Sequence, residues 1–337
     1  MTLKSLAAAL SFGLAAFTMQ PAKAAEADSI LNVSYDVARE LFGQLNPVFQ
    51  TEWKAKSGQG VSVTQSHGGS SKQARAILEG LKADVVTFNQ VTDIDVLHDK
   101  SDLVRADWRQ QFPYNSSPFY SVQVFLVRKG NPKNIKTWDD LAKDGTGIIF
   151  PNPKTSGNGR YTYLAAYASE LDENGGDVEK THAFIRKFFQ NVKVFDTGGR
   201  AATTTFVERG IGDVLITFEA EAYGIAKQHE KDGYEVITPP QSLVSEFPVA
   251  IVDKVVDKRN SRKVSTAYLN FLYEPAAQKI IAENFYRVRD EAVAKENAGQ
   301  FAPVKLLTVD DVFGGWKKVN EEHLKSGGTL DQLFTLR

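Results

Sequence analysis

Five times in this chain an apolar, strand-like run ends in a small or acidic residue from which a helix is expected to start. The junctions are LNVSYD-VARELF, SVTQSHGGSS-KQARAIL, IIFPNPKTSGNG-RYTYLAAY, VFDTGGRA-ATTTFVERG and GDVLITFE-AEAYGIAKQ. A helix N-terminus leaves backbone N–H groups unpaired and carries the positive end of the macrodipole, so each junction can hold an anion. Several of them can converge on one small oxyanion with no metal ion and no lysine. Capture of an inorganic anion is therefore the leading chemistry.

The segment PKTSGNG at residues 153–159 is the sharpest of these. Ser156 offers a hydroxyl donor, and Gly157 and Gly159 let the backbone approach a ligand closely. Read alone, the segment is also an ordinary serine N-cap among turn glycines. The string HGGSSK at residues 67–72 has the look of a P-loop tail but lacks the GxxxxGK[ST] spacing, so nucleotide binding is not supported. What it leaves is Ser70, a hydroxyl and an N–H at a helix start, with His67 a structural hydrogen-bonding residue beside it. Arg39, Lys72, Arg160 and Arg200 all fall in or beside the first turn of their helices, where a cation opposes the dipole. A bound anion or buried acids must compensate them, and they need not touch the ligand.

Catalytic constellations are missing. The sequence has no GxSxG elbow and no SxxK pair, and no glycosidase-type carboxylate pair stands out. Glu219 and Glu221 follow the last junction, but acids in a first helical turn are favourable by themselves. The five histidines are scattered with no metal-ligand spacing, and there is no cysteine, so disulfides, thiol catalysis and cysteine metal sites are excluded. No metal site and no cofactor are expected.

Positioning such junctions takes alternating strands and helices. Residues 84–88, 122–127 and 248–252 are apolar runs, while Leu41, Leu45, Phe49 and Trp53 share one helical face, as do Ala74, Ile77, Leu78 and Leu81. The alternation predicts an α/β architecture with mostly parallel sheets. The strands at 120–128 and 248–253, each entered from a turn-rich or extended stretch, are places where the chain can pass between two α/β lobes. A single large sheet would give a similar local pattern. Because ligands in open α/β sheets sit beyond the strands' carboxyl ends, Asp36 and Ser70 belong on the first lobe's rim. Ser156, Gly157, Asn158, Gly199 and Phe218 belong on the second.

The first 24 residues read as a secretory signal, with Lys4 in the n-region, an apolar run over 6–17 and Ala22-Lys23-Ala24 at the cleavage site. Export to the periplasm is expected. That segment holds two lysines and no acid, so the remainder carries a formal charge of −3 against −1 for the whole chain. A mildly acidic protein is a poor partner for nucleic acid or an anionic membrane.

At these same residues the sequence resembles the periplasmic sulfate- and thiosulfate-binding proteins of ABC importers. The matching strings are NVSYD (32–36), QSHGGSSKQA (65–74), FLVRKGNPKNI (125–135), PNPKTSGN (151–158), FVERGIGDVLI (206–216), NFYR (284–287) and VFGGW (312–316). The resemblance covers essentially all of the chain after residue 24. It implies a two-lobed type II periplasmic-binding fold with the ligand cleft between lobes. Residues 25–117 and 252–300 would form the first lobe and 118–251 the second, with the helices of 301–337 unassigned. It further implies a monomer that binds a dehydrated dianion and delivers it to membrane permease subunits. The implied donors are the Asp36 N–H, the Ser70 hydroxyl, Ser156 with the N–H groups of Gly157 and Asn158, and the Gly199 N–H. His67 and Arg200 stand behind them.

Two positions depart from the sulfate-binding pattern. Asn158 stands where that pattern has a second glycine, which keeps the backbone donor unless the turn needs positive φ. Phe218 stands where sulfate-binding members have a tryptophan whose indole N–H donates to the anion, and a phenyl ring has no donor. The strings GLKADVVTFNQVTD (80–93), PFYS (118–121), NPKTSGNGRYTYLAAY (152–167), VFDTGGR (194–200) and EFPVAIVDK (246–254) are closer to the thiosulfate-binding branch. The rivals are a molybdate or phosphate carrier on the same fold, an exported anion-ester hydrolase, and a periplasmic protein that binds no anion.

Overall fold

The computed structural model describes residues 27–334, so the secretory signal read over residues 1–24 lies outside the described residues. Among the described residues twelve strands fall into two sheets, flanked by helices. The first sheet contains β1 (Ser29–Tyr35), β2 (Ser62–Gly68), β3 (Val85–Thr87) and β10 (Val249–Ile251), in the order β10-β3-β1-β2. β1 runs parallel to both of its neighbours, and β10 closes the edge antiparallel to β3. A strand paired on both edges and covered on both faces needs no polar alternation, which is why NVSY is buried throughout.

The second sheet is built on β4 (Phe119–Val127), a run of nine residues of which only Tyr120 is not fully buried. Along one path lie β12 (Lys305–Leu307), β9 (Gln241–Glu246), β4, β7 (Val214–Phe218), β5 (Ile148–Pro151) and β6 (Val192–Asp196). Two short strands, β8 (Glu235–Ile237) and β11 (Arg287–Val288), also pair with β4. The expectation of mostly parallel sheets holds for the first sheet and for β7-β5-β6, but β4 is antiparallel to all four of its partners. Its direction is not set by a β-helix-β crossover. β4 is where the chain enters this sheet, and β9 pairs beside it before the chain leaves. Between Glu246 and Val249 the chain passes from the second sheet to the first through Phe247-Pro248. Phe247 sits at that passage, packed against Tyr35, Phe119, Phe218 and Tyr286.

The helix Arg39–Ser57 buries Leu41, Leu45, Phe49 and Trp53, the face its periodicity predicts, together with Phe42. The C-terminal segment lies against the second sheet's elements. β12 pairs with β9, and Phe334 meets the rings of Phe189 and Phe195. Among the described residues no helix is long and apolar enough to cross a membrane.

Candidate functional site

Six strands end at helix starts that face one another. From the first sheet come Asp36 after β1, Gly69-Ser70 after β2 leading into the helix Ser70–Leu78, and Asn89-Gln90 after β3 leading into Val91–Asp99. From the second come Ser156, which caps Gly157–Glu173, Gly198, which precedes Gly199–Val207, and Phe218, which precedes Glu219–Gln228. Glycines mark the closeness of the two sets. A methyl group added to Gly69 would lie 3.2 Å from the Thr155 carbonyl oxygen, and one on Gly198 would lie 2.7 Å from Asp36 Oδ2. On Gly157 it would fall 2.2 Å from Asn89 Oδ1, and on Gly199 3.1 Å from Val37 and 3.4 Å from Asn158 Nδ2. The structure thus brings Asp36, Ser70, Ser156, Gly157, Asn158 and Gly199 to one place.

The donor chemistry is explicit at three of them. Among the described residues Ser70 Oγ is buried with no hydrogen-bond partner, an expensive condition unless a ligand supplies one. Ser156 takes the N-cap role that the sequence allowed, and the cap does not use up its hydroxyl hydrogen. Its oxygen accepts a long bond from the Gly159 N–H at 3.4 Å as an N-cap, which leaves its own O–H hydrogen to donate elsewhere. Asn158 is not among the residues at positive φ, so the backbone donor of the glycine it replaces is retained. Its side-chain Nδ2 donates to Thr217 Oγ1 at 2.9 Å.

Several of the charges around the site are spent on the protein. Asp36 accepts from the Arg200 N–H at 3.2 Å and from the Val37 N–H at 3.2 Å, so its carboxylate caps a helix of the opposite set. Arg200 pairs with Glu40 at 2.7 and 2.9 Å, and Arg160 pairs with Asp93 at 2.9 Å. Two of the four cations at helix starts are therefore compensated by acids from the other side of the cleft. His67 Nδ1 lies 3.0 Å from the Tyr35 carbonyl oxygen, and burial lowers its pKa from the ordinary value, as suits an anchoring ring. Glu219 is locked in a bidentate pair with Arg287 of the NFYR string.

Phe218 is buried at the end of β7, with its ring edge-on to Phe247 at 5.0 Å and to Tyr161 at 6.2 Å. It shares the aromatic cluster between the sheets. The sequence reading missed the sixth junction at Asn89-Gln90. Both side chains are buried, with Asn89 Oδ1 and Gln90 Nε2 unpartnered among the described residues and Gln90 Oε1 capping Val91 at 3.0 Å. The signal was present in VVTF-NQ-VTD, an apolar run followed by two amides. Its helix start is marked by amides, whereas the other five are marked by small or acidic residues.

Two α/β units meeting over a cleft walled by helix starts and neutral donors define a solute-binding protein. The family model described as bacterial extracellular solute-binding protein matches residues 34–287, and the chain belongs to that family. It is 55% identical to a thiosulfate-binding protein of Escherichia coli over 310 residues, 92% of each chain. It is 50% identical to a thiosulfate-binding protein of Pseudomonas aeruginosa, across 98% of this chain and 97% of that one. A sulfate-binding protein of Escherichia coli is 48% identical over 90% of this chain and 92% of its own. Among solved structures, the sulfate-binding protein SubI of Mycobacterium tuberculosis superposes with a TM-score of 0.78 at 36% identity, covering 88% of this chain and 99% of that one.

Proposed function

We propose that this protein captures thiosulfate, with sulfate as a shared ligand, in the periplasm and delivers it to the permease of an ABC importer. The observation that carries the reading is the buried, partnerless Ser70 hydroxyl at a cleft of helix starts. Similarity to relatives named for these anions supports the substrate class. The donors would be Ser70, Ser156 and the N–H groups of Asp36, Gly157, Asn158 and Gly199, with His67 and Arg200 behind them. The lobes would comprise residues 25–117 with 252–300 and residues 118–251, closing on the anion as a monomer. Hydrogen bonds to a charged acceptor contribute about 1.5–3 kcal/mol each, so a few neutral donors can replace the dianion's water shell. A hydrolase on the same pocket would need an acid or base in reach. Asp36, Glu40, Asp93 and Glu219 are instead bound to backbone N–H or arginine, and Glu221 is bound to the hydroxyls of Thr203 and Thr217.

Calorimetric titration with thiosulfate, sulfate, molybdate and phosphate tests this. Thiosulfate and sulfate should bind and compete, and hydrogen phosphate, whose proton needs an acceptor, should be rejected. Failure of both sulfur anions to bind would overturn the reading. Ser70→Ala should weaken binding by about 1.5–3 kcal/mol with the unfolding midpoint unchanged, because the hydroxyl contributes nothing to the protein's own hydrogen bonding.

Selectivity is assigned to Phe218. Sulfate presents four oxygens, whereas thiosulfate presents three and a sulfur that accepts hydrogen bonds weakly and suits an apolar ring. Phe218→Trp should move the affinity ratio toward sulfate by about 1 kcal/mol. The packing against Phe247 and Tyr161 adds an overpacking cost of about 1–3 kcal/mol in stability. A folded variant with an unmoved ratio would remove Phe218 from the site.

A further inference from the structure

Gln90 brings an uncommitted hydrogen-bond donor to the cleft. Its side chain has no solvent exposure, and Nε2 finds no partner among the described residues. A primary amide nitrogen holds two hydrogens, and burying them unpaired is expensive.

The other end of the amide fixes which way Nε2 points. Gln90 Oε1 accepts from the Val91 N–H at 3.0 Å and so caps the helix Val91–Asp99. Turned over, the amide would set its own N–H against that of Val91, donor against donor. Nε2 therefore points away from the Val91 N–H. Neighbouring Asn89 carries an unpartnered acceptor in Oδ1, yet the two groups do not satisfy each other. The acceptor for Nε2 must come from elsewhere.

The contacts of residues 155–160 show what lies nearby. A methyl group on Gly69 would sit 3.2 Å from the Thr155 carbonyl oxygen, and one on Gly157 would sit 2.9 Å from Gln90 Cβ. Ser156 stands between those two points of approach. On the first unit the matching helix starts are neighbours, since Ser71 Oγ donates to Asp93 Oδ2 at 3.1 Å. Arg160 ties them to the second unit, donating to Thr92 Oγ1 at 3.3 Å and to Asp93 Oδ1 at 2.9 Å. An anion held by Ser156 is thus flanked from the first unit by Ser70 and by Gln90. Both have hydrogens that the described residues leave unpaired.

We propose that Gln90 is a further ligand contact, with Nε2 donating to an oxygen of the bound anion beside the Ser70 hydroxyl. The inference rests on the oxyanion reading of the cleft. A neutral amide suits the purpose, because it attracts a dianion without bringing a charge that must itself be desolvated. Gln90 lies on the first unit and Gly157 on the second, so the contact joins the two sides of the closed cleft. Its cap on Val91 uses only Oε1, which leaves Nε2 free for the ligand.

Two measurements on the full chain test this. One is a crystal structure of the wild type with thiosulfate bound, in which Nε2 should lie within about 3.2 Å of a thiosulfate oxygen. The other is calorimetric titration of Gln90→Met, which fills a similar space with no hydrogen to donate. The variant should bind thiosulfate and sulfate about ten- to a hundredfold more weakly than the wild type. Loss of the Val91 cap is read separately, as a lower unfolding midpoint of the ligand-free variant. A complex in which Nε2 is held by water or protein and not by the anion overturns the proposal, whether or not the variant folds. So does wild-type affinity for both anions in a folded Gln90→Met. Absence of any binding by the wild type would instead overturn the oxyanion reading.

Discussion

Gly157→Ala is expected to lower anion affinity by about ten- to a hundredfold and leave the protein folded, whereas Gly159→Ala is expected to damage the fold itself. Neither position is at positive φ, so the difference comes from what a methyl group would strike. At Gly157 it meets Asn89 Oδ1 at 2.2 Å and Gln90 Cβ at 2.9 Å, both on the opposite side of the cleft. The Asn89 oxygen ends a short side chain, but Gln90 Cβ is tied to the backbone, so the clash is relieved only by parting the two sides. Parting them costs the closed, ligand-bound state and nothing else. At Gly159 the methyl group meets the Pro151 carbonyl oxygen at 2.2 Å, Pro153 N at 2.8 Å and Asn152 C at 2.9 Å. Those atoms are backbone of the same unit, and no opening of the cleft moves them. Overpacking of this kind costs about 1–3 kcal/mol, occasionally more, of folding free energy. Titration calorimetry and urea unfolding on both variants separate the cases. Wild-type affinity in Gly157→Ala, or equal loss of stability in the two, would contradict the assignment of Gly157 to the closing surface.

Residue types at strand ends made most of the cleft legible. NVSYD, HGGSS, KTSGN and DTGGR are strings in which small or acidic residues follow an apolar run, and the structure brings all four together. What the sequence could not show is pairing at a distance. Arg160 and Arg200 read as cations opposing a helix dipole because their partners, Asp93 and Glu40, sit 67 and 160 residues away. The Ser156 question dissolved for a chemical reason: a hydroxyl accepts and donates at once, so cap and ligand donor are not alternatives. The direction of β4 was illegible because buried strands of either orientation carry the same apolar pattern. Asn89-Gln90 was legible in principle, because an amide oxygen can cap a helix start, as Gln90 Oε1 does for Val91.

Arg287→Met is expected to destabilise the folded protein by about 3–5 kcal/mol, the range for removing one partner of a buried ion pair. The pair holds β11, which begins at the last residue of the NFYR string, against the helix that begins beside Phe218. Its guanidinium meets Glu219 Oε2 at 2.6 Å and Oε1 at 3.0 Å and lies 4.6 Å from the Phe301 ring centre. The Glu219 side chain has no solvent exposure, so in the variant its charge would have neither water nor arginine. In the wild type burial pushes the Glu219 carboxyl up and Arg287 pulls it back. Without Arg287 only the upward push remains. A carboxyl whose pKa is higher folded than unfolded favours folding while it is protonated, and that advantage is lost as pH rises through the folded value. The stability deficit of Arg287→Met should therefore be smaller at about pH 5 than at about pH 8, measured against wild type by urea unfolding. Adding Glu219→Gln should restore part of the loss at the higher pH, because a neutral amide removes the stranded charge while filling the same space. A deficit that is small, independent of pH and untouched by the second substitution would mean that the pair is not closed off from water and that β11 is held by packing alone.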